Sequence, residues 1–350
     1  MIGPVLNETL RFLTIHSPRC ISHQHCPTGL PTPITGAPAM KPPHPFRHLL
    51  VISVLVFSAV ACAGSRQQAA PENPHRGDGL RTLQKADAWY RKGCYTKAMA
   101  LYRLAYPDLV AGDSLNEMAI CLNNMGNVYL RSGKPESAVV FFDEAIQISQ
   151  ETADSLNLRA AWVNKATALM QGEQYDAAAA ALGNARNAGP ETASLLAADA
   201  RLHMRRGDTE TARALLADAL NRVDDEDAAT TAVIQSALGH LARTDGDLEG
   251  GFTHFQTALN ADRRQSYYRG MADDLKAMGD IRTSQERHRE AAGHYKRSIS
   301  LYALINAAPA VAALREPLAA SAAAAGLAID GTLYFVDDWL ENPAFIGPCE

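Results

Sequence analysis

Residues 121–138 read CLNNMGNVYLRSGKPESA, and the way this stretch recurs decides the fold. Gly126 is followed 12 residues later by Ala138, four further on by Phe142 and three beyond that by Ala145. The same small–small–bulky–small template appears earlier as Ala86, Ala98, Tyr102 and Ala105. It returns as Ala166, Ala178, Leu182 and Ala185, and then as Ala200, Ala212, Leu216 and Ala219. Gly239, Gly251, Phe255 and Ala258 form a fifth set, and Gly279, Ala291, Tyr295 and Ser298 a sixth. Two antiparallel helices approach closely only where small residues face each other, and a bulky residue one turn on fills the adjoining gap. The spacing therefore predicts six helix pairs. Gly93, Gly133, Gly172, Gly207 and Gly246 fall where each first helix ends, a place that favours a left-handed residue.

Successive units start 40, 40, 34, 39 and 40 residues apart. The extra length is expected in the second helix or the turn after it. Tyr95, Tyr129, Trp162 and Tyr175 stand at recurring aromatic positions, and Pro190 closes a unit. Together these features resemble the tetratricopeptide repeat over about 230 residues, from Gly79 to Asn306. The sixth unit departs from the pattern, since Arg282 replaces the aromatic. The resemblance implies an all-α, right-handed superhelical solenoid of about six helix-turn-helix repeats over 79–306, its concave face lined by first helices. Residues 307–350, with APAVAALREPLAASAAAAGLAI and then TLYFVDDWLENPAF, read as a capping helix and a strapped-down tail. The rival reading of Tyr334, Phe335 and Trp339 is an exposed patch for a partner.

The composition suits that fold. The chain has 350 residues, 47% hydrophobic and 20% charged, with net charge -5, which argues against disorder and against nucleic-acid binding. Aromatics make up only 7% and alanine dominates, as closely packed helices prefer. The six cysteines, Cys20, Cys26, Cys62, Cys94, Cys121 and Cys349, form no CxxC pair and no disulfide framework. Cys94 and Cys121 are expected as buried free thiols, with a bond between them as the alternative.

The front of the chain reads as an address. LLVISVLVFSAV, residues 49–60, is too short to span a bilayer but suits a signal-peptide core. Lys41 and Arg47 flank it, and Ala59-Val60-Ala61-Cys62 resembles the lipobox of bacterial lipoproteins, although Ala59 stands where leucine is usual. That resemblance implies lipid attachment at Cys62, with a plain secretory signal or a retained anchor as alternatives. Met40 is read as the start, residues 1–39 as upstream sequence, 40–61 as the signal peptide and 62–78 as a flexible polar tether. Cys20, His23, His25 and Cys26 match no zinc spacing. Removing Arg11, Arg19, Lys41, Arg47 and Glu8 takes the net charge from -5 to about -8, so acyl chains would have to do the anchoring.

Counting along each first helix in the family's register places Asn123, Asn127 and Arg131 in the groove, then Arg201 and Arg205, His240 and Arg243, and Lys276 and Asp280. Asn164 lies one place off its centre. The segment 121–138 resembles peptide-binding repeats in which paired asparagines hold the backbone of an extended ligand, since an amide offers both donor and acceptor. The alternative is that asparagine is frequent in repeats simply because it tolerates that position. Arg201, Arg205, His240 and Arg243 form a basic stretch that favours an acidic peptide or a carboxylate terminus; the plain alternative is a solvated helix face. His240 has no companion at metal spacing and reads as a surface residue. No GxSxG, HExxH, Walker or Rossmann signature is present. The expectation is a non-enzymatic scaffold with no cofactor, metal or small-molecule substrate, binding a protein or peptide partner. By resemblance it sits in the cell envelope, anchored in the outer membrane and facing the periplasm, since Ala63 rather than aspartate follows Cys62. Rival readings are a pilotin-like assembly lipoprotein, a regulator of a cell-wall enzyme and, last, a glycan binder.

Overall fold

The computed structural model describes residues 73–342 and residue 349. The signal peptide, the lipobox with Cys62, the Cys20–Cys26 cluster and the tether as far as residue 72 lie outside the described residues. Among the described residues every regular element is an α-helix. They run in pairs: α1 Pro74–Arg91 with α2 Tyr95–Ala111, α3 Leu115–Arg131 with α4 Pro135–Glu151, and α5 Ser155–Gln171 with α6 Tyr175–Asn187. Then come α7 Ala193–Arg205 with α8 Thr209–Arg222, α9 Ala228–Thr244 with α10 Leu248–Arg264, and α11 Tyr268–Ser284 with α12 His288–Leu304. The chain closes with α13 Ala308–Ala324 and α14 Asp330–Glu341.

The four-position template marks the helix crossings. Ala86, Ala98, Tyr102 and Ala105 of the first pair are all fully buried, as are Ala166, Ala178, Leu182 and Ala185 of the third. Where the first position is glycine, a bulky ring lies on its Cα. A Cβ on Gly126 would stand 2.5 Å from the Phe142 ring, and one on Gly279 would stand 2.5 Å from Tyr295. That is far inside van der Waals contact, so the ring excludes any side chain at those crossings.

Five details differ from expectation. Helix α1 begins at Pro74, inside the stretch read as a tether to residue 78, because Asn73 caps it by accepting from the His75 N–H and proline presets the first turn. The extra length is not confined to the second helix or the turn after it: in the first, second and fifth units both helices have 17 or 18 residues. The fourth has helices of 13 and 14 residues followed by the turn 223–227, and the 13-residue α6 and α7 give the short spacing. Gly172 is not left-handed; the positive φ of that turn, 59°, falls on Glu173. Arg282 replaces the aromatic by imitating one, being 5% exposed with its guanidinium 3.6 Å from the Phe252 ring centroid. Glu249 and Glu290 neutralise it at 2.8 and 3.2 Å.

The fifth is the C-terminal cap, which is two helices and not a helix and a tail. Val311, Leu314 and Leu318 of α13 and Val336 of α14 share one apolar cluster with Tyr295, Ile299 and Tyr302 of α12. Helix α14 thus covers the last unit through Val336 while Tyr334 and Phe335 point outward, 68% and 53% exposed. No described helix is long and apolar enough to cross a membrane.

The solenoid curls until its ends meet. Gly93, in the α1–α2 turn, lies against Ile305 after α12; a Cβ there would stand 3.2 Å from that side chain. The neighbouring Cys94 is disulfide-bonded to Cys349, 255 residues away in sequence. Cys94 is therefore neither a free thiol nor the partner of Cys121. Cys121 stays buried and free, its thiol pushed up to about 12 by burial. A non-reduced digest should yield the Cys94 and Cys349 peptides joined, and Cys94→Ser should lower the melting midpoint by several degrees, since a native disulfide commonly contributes about 2–4 kcal/mol. Recovery of the two peptides only as separate species would show the strap to be unmade.

Candidate functional site

The inner wall is built from the first helices. Asn123, Asn127 and Arg131 recur every four residues on α3, so they stand above one another on a single face, as do Arg201 and Arg205 on α7. The curl brings the C-terminal ends of α3 and α7 together. The Arg201 guanidinium is pushed down to about 10, first by burial and then by the positive charges of Arg131 and Arg205. Among the described residues none of these three arginines makes a salt bridge, although Arg131 acts electrostatically on the Asp262 carboxyl. Buried Nε and Nη2 atoms of Arg131 lack any hydrogen-bond acceptor, and its guanidinium rests 5.8 Å from the Tyr267 ring centroid.

Arg243 and His240 behave differently from that trio. Asp280 accepts from Lys276 Nζ at 2.7 Å and from the Tyr295 hydroxyl at 2.9 Å, and it lies 3.7 Å from Arg243. Arg243 is thus already compensated. His240 is exposed, lines the cavity described below and stands edge-on to the Phe255 ring at 5.0 Å. Desolvation by the wall around it and the neighbouring Arg243 push its pKa down to about 4, which keeps the imidazole neutral.

The asparagines are embedded rather than displayed. Asn123, Asn127 and Asn164 are 8%, 3% and 1% exposed. Asn164 donates to Asn123 Oδ1 at 2.9 Å, tying α5 to α3, while its own Oδ1 has no partner. The adjacent Asn124 donates to Asp87 Oδ1 at 2.9 Å, and the Tyr102 hydroxyl donates to the same atom at 2.7 Å. This second tie, across α1, α2 and α3, went unread in the sequence.

A cavity of about 390 Å³ occupies the space between the two ends of the solenoid. Tyr90 and Arg131 line it from the first two units, and His240, Asp262, Tyr267 and Asp274 from the last two. Asp274 is 2% exposed; its Oδ1 accepts from Ser236 at 3.0 Å, while Oδ2 has no partner. Burial, then the nearby Asp262, pushes its pKa up to about 9. Asp262, whose Oδ1 accepts from Gln265 at 3.1 Å, is pushed up to about 7, mainly by burial. Sequence reasoning missed both acids. The available signal was a charge one turn before Met278 on the apolar stripe of α11, but only the curl shows what it faces.

Family models match parts of this architecture. Residues 118–155 and residues 227–303 match the tetratricopeptide repeat. Among curated proteins none matches the chain. The APC/C hetero-tetramer Cut9–Hcn1 is similar at 17% identity and a TM-score of 0.44, with 75% of this chain covered. The chain spans only 55% of that protein's length. YrrB, described as a TPR protein with an unusual peptide-binding site, is 18% identical with a TM-score of 0.31 over 56% of this chain and 92% of its own. PilF of Pseudomonas aeruginosa is 17% identical with a TM-score of 0.39 over 65% and 99%.

The raised acids make a stability forecast. In the unfolded chain Asp274 ionises near 3.8, whereas in the fold it holds its proton to about pH 9. Its contribution is therefore full below pH 4 and fades as pH rises toward 9. Asp274→Asn keeps an oxygen for Ser236 but does not titrate. Its melting midpoint should exceed that of the parent by about 3 °C or more at pH 8, with the gap closing toward pH 4. A gap independent of pH would show that Asp274 is not held neutral.

Proposed function

We propose that this chain is a non-enzymatic adaptor of the bacterial cell envelope that captures an acidic protein or peptide on its inner wall. Tetratricopeptide repeats mediate protein–protein interaction, and the observation that carries the finer reading is the cluster Arg131, Arg201 and Arg205. Like charges crowded without salt-bridge partners disfavour the empty protein, and a partner carboxylate would relieve them with charge-assisted bonds. Arg243 and His240 adjoin this surface and would contact the same partner. Asn123 and Asn164, embedded and bonded to each other, tie α3 to α5 rather than offering a peptide backbone an open amide.

Crosslinked pull-down from intact envelopes, comparing the parent with Arg201→Glu/Arg205→Glu, tests the charge. The variant should lose at least tenfold in recovery of the parent's partner, and parental capture should weaken as salt rises, since exposed charges are screened over roughly 8–10 Å. The fold should survive, because the reversal removes repulsion from Arg131. Undiminished capture of the same partner by a folded double variant would refute the acidic-partner reading.

The envelope setting rests on the residues 49–62 stretch LLVISVLVFSAVAC and gains support from the Cys94–Cys349 bond, a linkage that persists in oxidising compartments. Lipid attachment at Cys62, insertion in the outer membrane and exposure to the periplasm follow from that reading. Cys62→Ser should then convert the protein from the membrane fraction to a soluble or unprocessed form. Its retention in membranes after normal processing would count against the anchor.

A further inference from the structure

The cavity between the solenoid's ends is lined by charges of both signs, and their pairing can be audited group by group. Arg243 and Lys276 are matched by Asp280. Asp273 is matched by Arg269 at 3.3 Å and accepts from the Tyr302 hydroxyl at 2.5 Å. What remains is Arg91 and Arg131 among the cations and Asp262 and Asp274 among the acids; two buried nitrogens of Arg131 and Oδ2 of Asp274 have no hydrogen-bond partner among the described residues. The Tyr90 hydroxyl is a third buried group without a partner. Buried polar groups left unmade are costly, and few native sites gather several around one space.

The two orphan sets ask for opposite things. Arg131, held against the Tyr267 ring, presents donors and a fixed positive charge, which suit a carboxylate. Asp274, only 2% exposed and backed by Asp262, presents an acceptor where a cation would restore the ionised form that burial disfavours. Water filling the space would supply hydrogen bonds but would leave Arg131 only Asp262 as a counter-charge, an acid itself pushed up to about 7 by burial. The volume of about 390 Å³ lies at the lower end of small-molecule pockets, about 300–1,000 Å³.

We propose that this cavity binds a small zwitterion of amino-acid or dipeptide size, its carboxylate on Arg131 and its ammonium on Asp274 and Asp262. The ligand touches the first two repeats at one end and the last two at the other, so it braces the closed solenoid in addition to the disulfide. Arg131, His240 and Arg243 are shared with the proposed partner surface, but the test needs only the purified chain, and Arg201 and Arg205, on which partner capture is tested, do not line the cavity.

The test is thermal denaturation of the purified protein with each L-amino acid and each L-alanyl-X dipeptide at about 10 mM, a concentration that reveals even weak ligands. At least one compound should raise the midpoint by about 2 °C or more, whereas its N-acetyl and C-amide derivatives should not. Titration calorimetry with that compound should then show at least a tenfold loss of affinity in both Asp274→Asn and Arg131→Gln. Asp274→Asn is expected to fold at least as stably as the parent, so its loss of binding reports on the site. No active compound, equal activity of the blocked derivatives, or loss in only one variant would each overturn the two-ended site.

Discussion

The contact on which everything else rests is a small residue at a helix crossing with a ring or leucine laid against it. In the second, fifth and sixth repeats the small residue is glycine, and the ring sits where a Cβ would be. Backbones can come this close only because nothing projects between them, and each crossing then holds one angle and one depth. Because every repeat copies the same crossing, each is rotated by a similar step relative to the last, and the steps accumulate. After six repeats the α1–α2 turn faces the residues that follow α12, and Cys94 meets Cys349. The closure is thus a sum of local contacts, not a separate interaction.

That closure explains where the electrostatic tension is. First helices all turn the same face inward, so cations spaced far apart along the chain converge on one space. Arg131 and Arg201 share a field although 70 residues separate them. The same convergence desolvates Asp262 and Asp274 until both resist ionisation. A protein selected only for stability would replace such groups with apolar ones of similar shape. Their presence on the inner wall, beside well-matched pairs such as Arg282 with Glu249 and Glu290, sets the wall apart from the structural ion pairs of the same molecule.

The crossings themselves were legible in the residues. All six template sets fall on paired helices, and Ala138, Phe142, Ala178 and Leu182 are buried where the spacing puts them. The groove count was legible in part. Side-chain direction on a helix follows from its period alone; of the residues the count picked, Arg131, His240, Arg243, Lys276 and Asp280 line the cavity whereas Arg201 and Arg205 do not. It could not tell a displayed asparagine from one embedded between α3 and α5, since that depends on how tightly neighbouring repeats stack. Nor could it tell Arg243, which Asp280 neutralises, from Arg201, which nothing does.

The sequence by itself determined the repeat, its register and the inward face, since these follow from local spacing and steric size within some forty residues. Only the tertiary structure decided the Cys94–Cys349 pairing, the cavity and the company that Asp274 keeps. Each of those requires residues from opposite ends of the chain, and their meeting depends on a small rotation repeated at every crossing. A four-position pattern specifies that two helices touch; the rotation between successive pairs is set by all their side chains together.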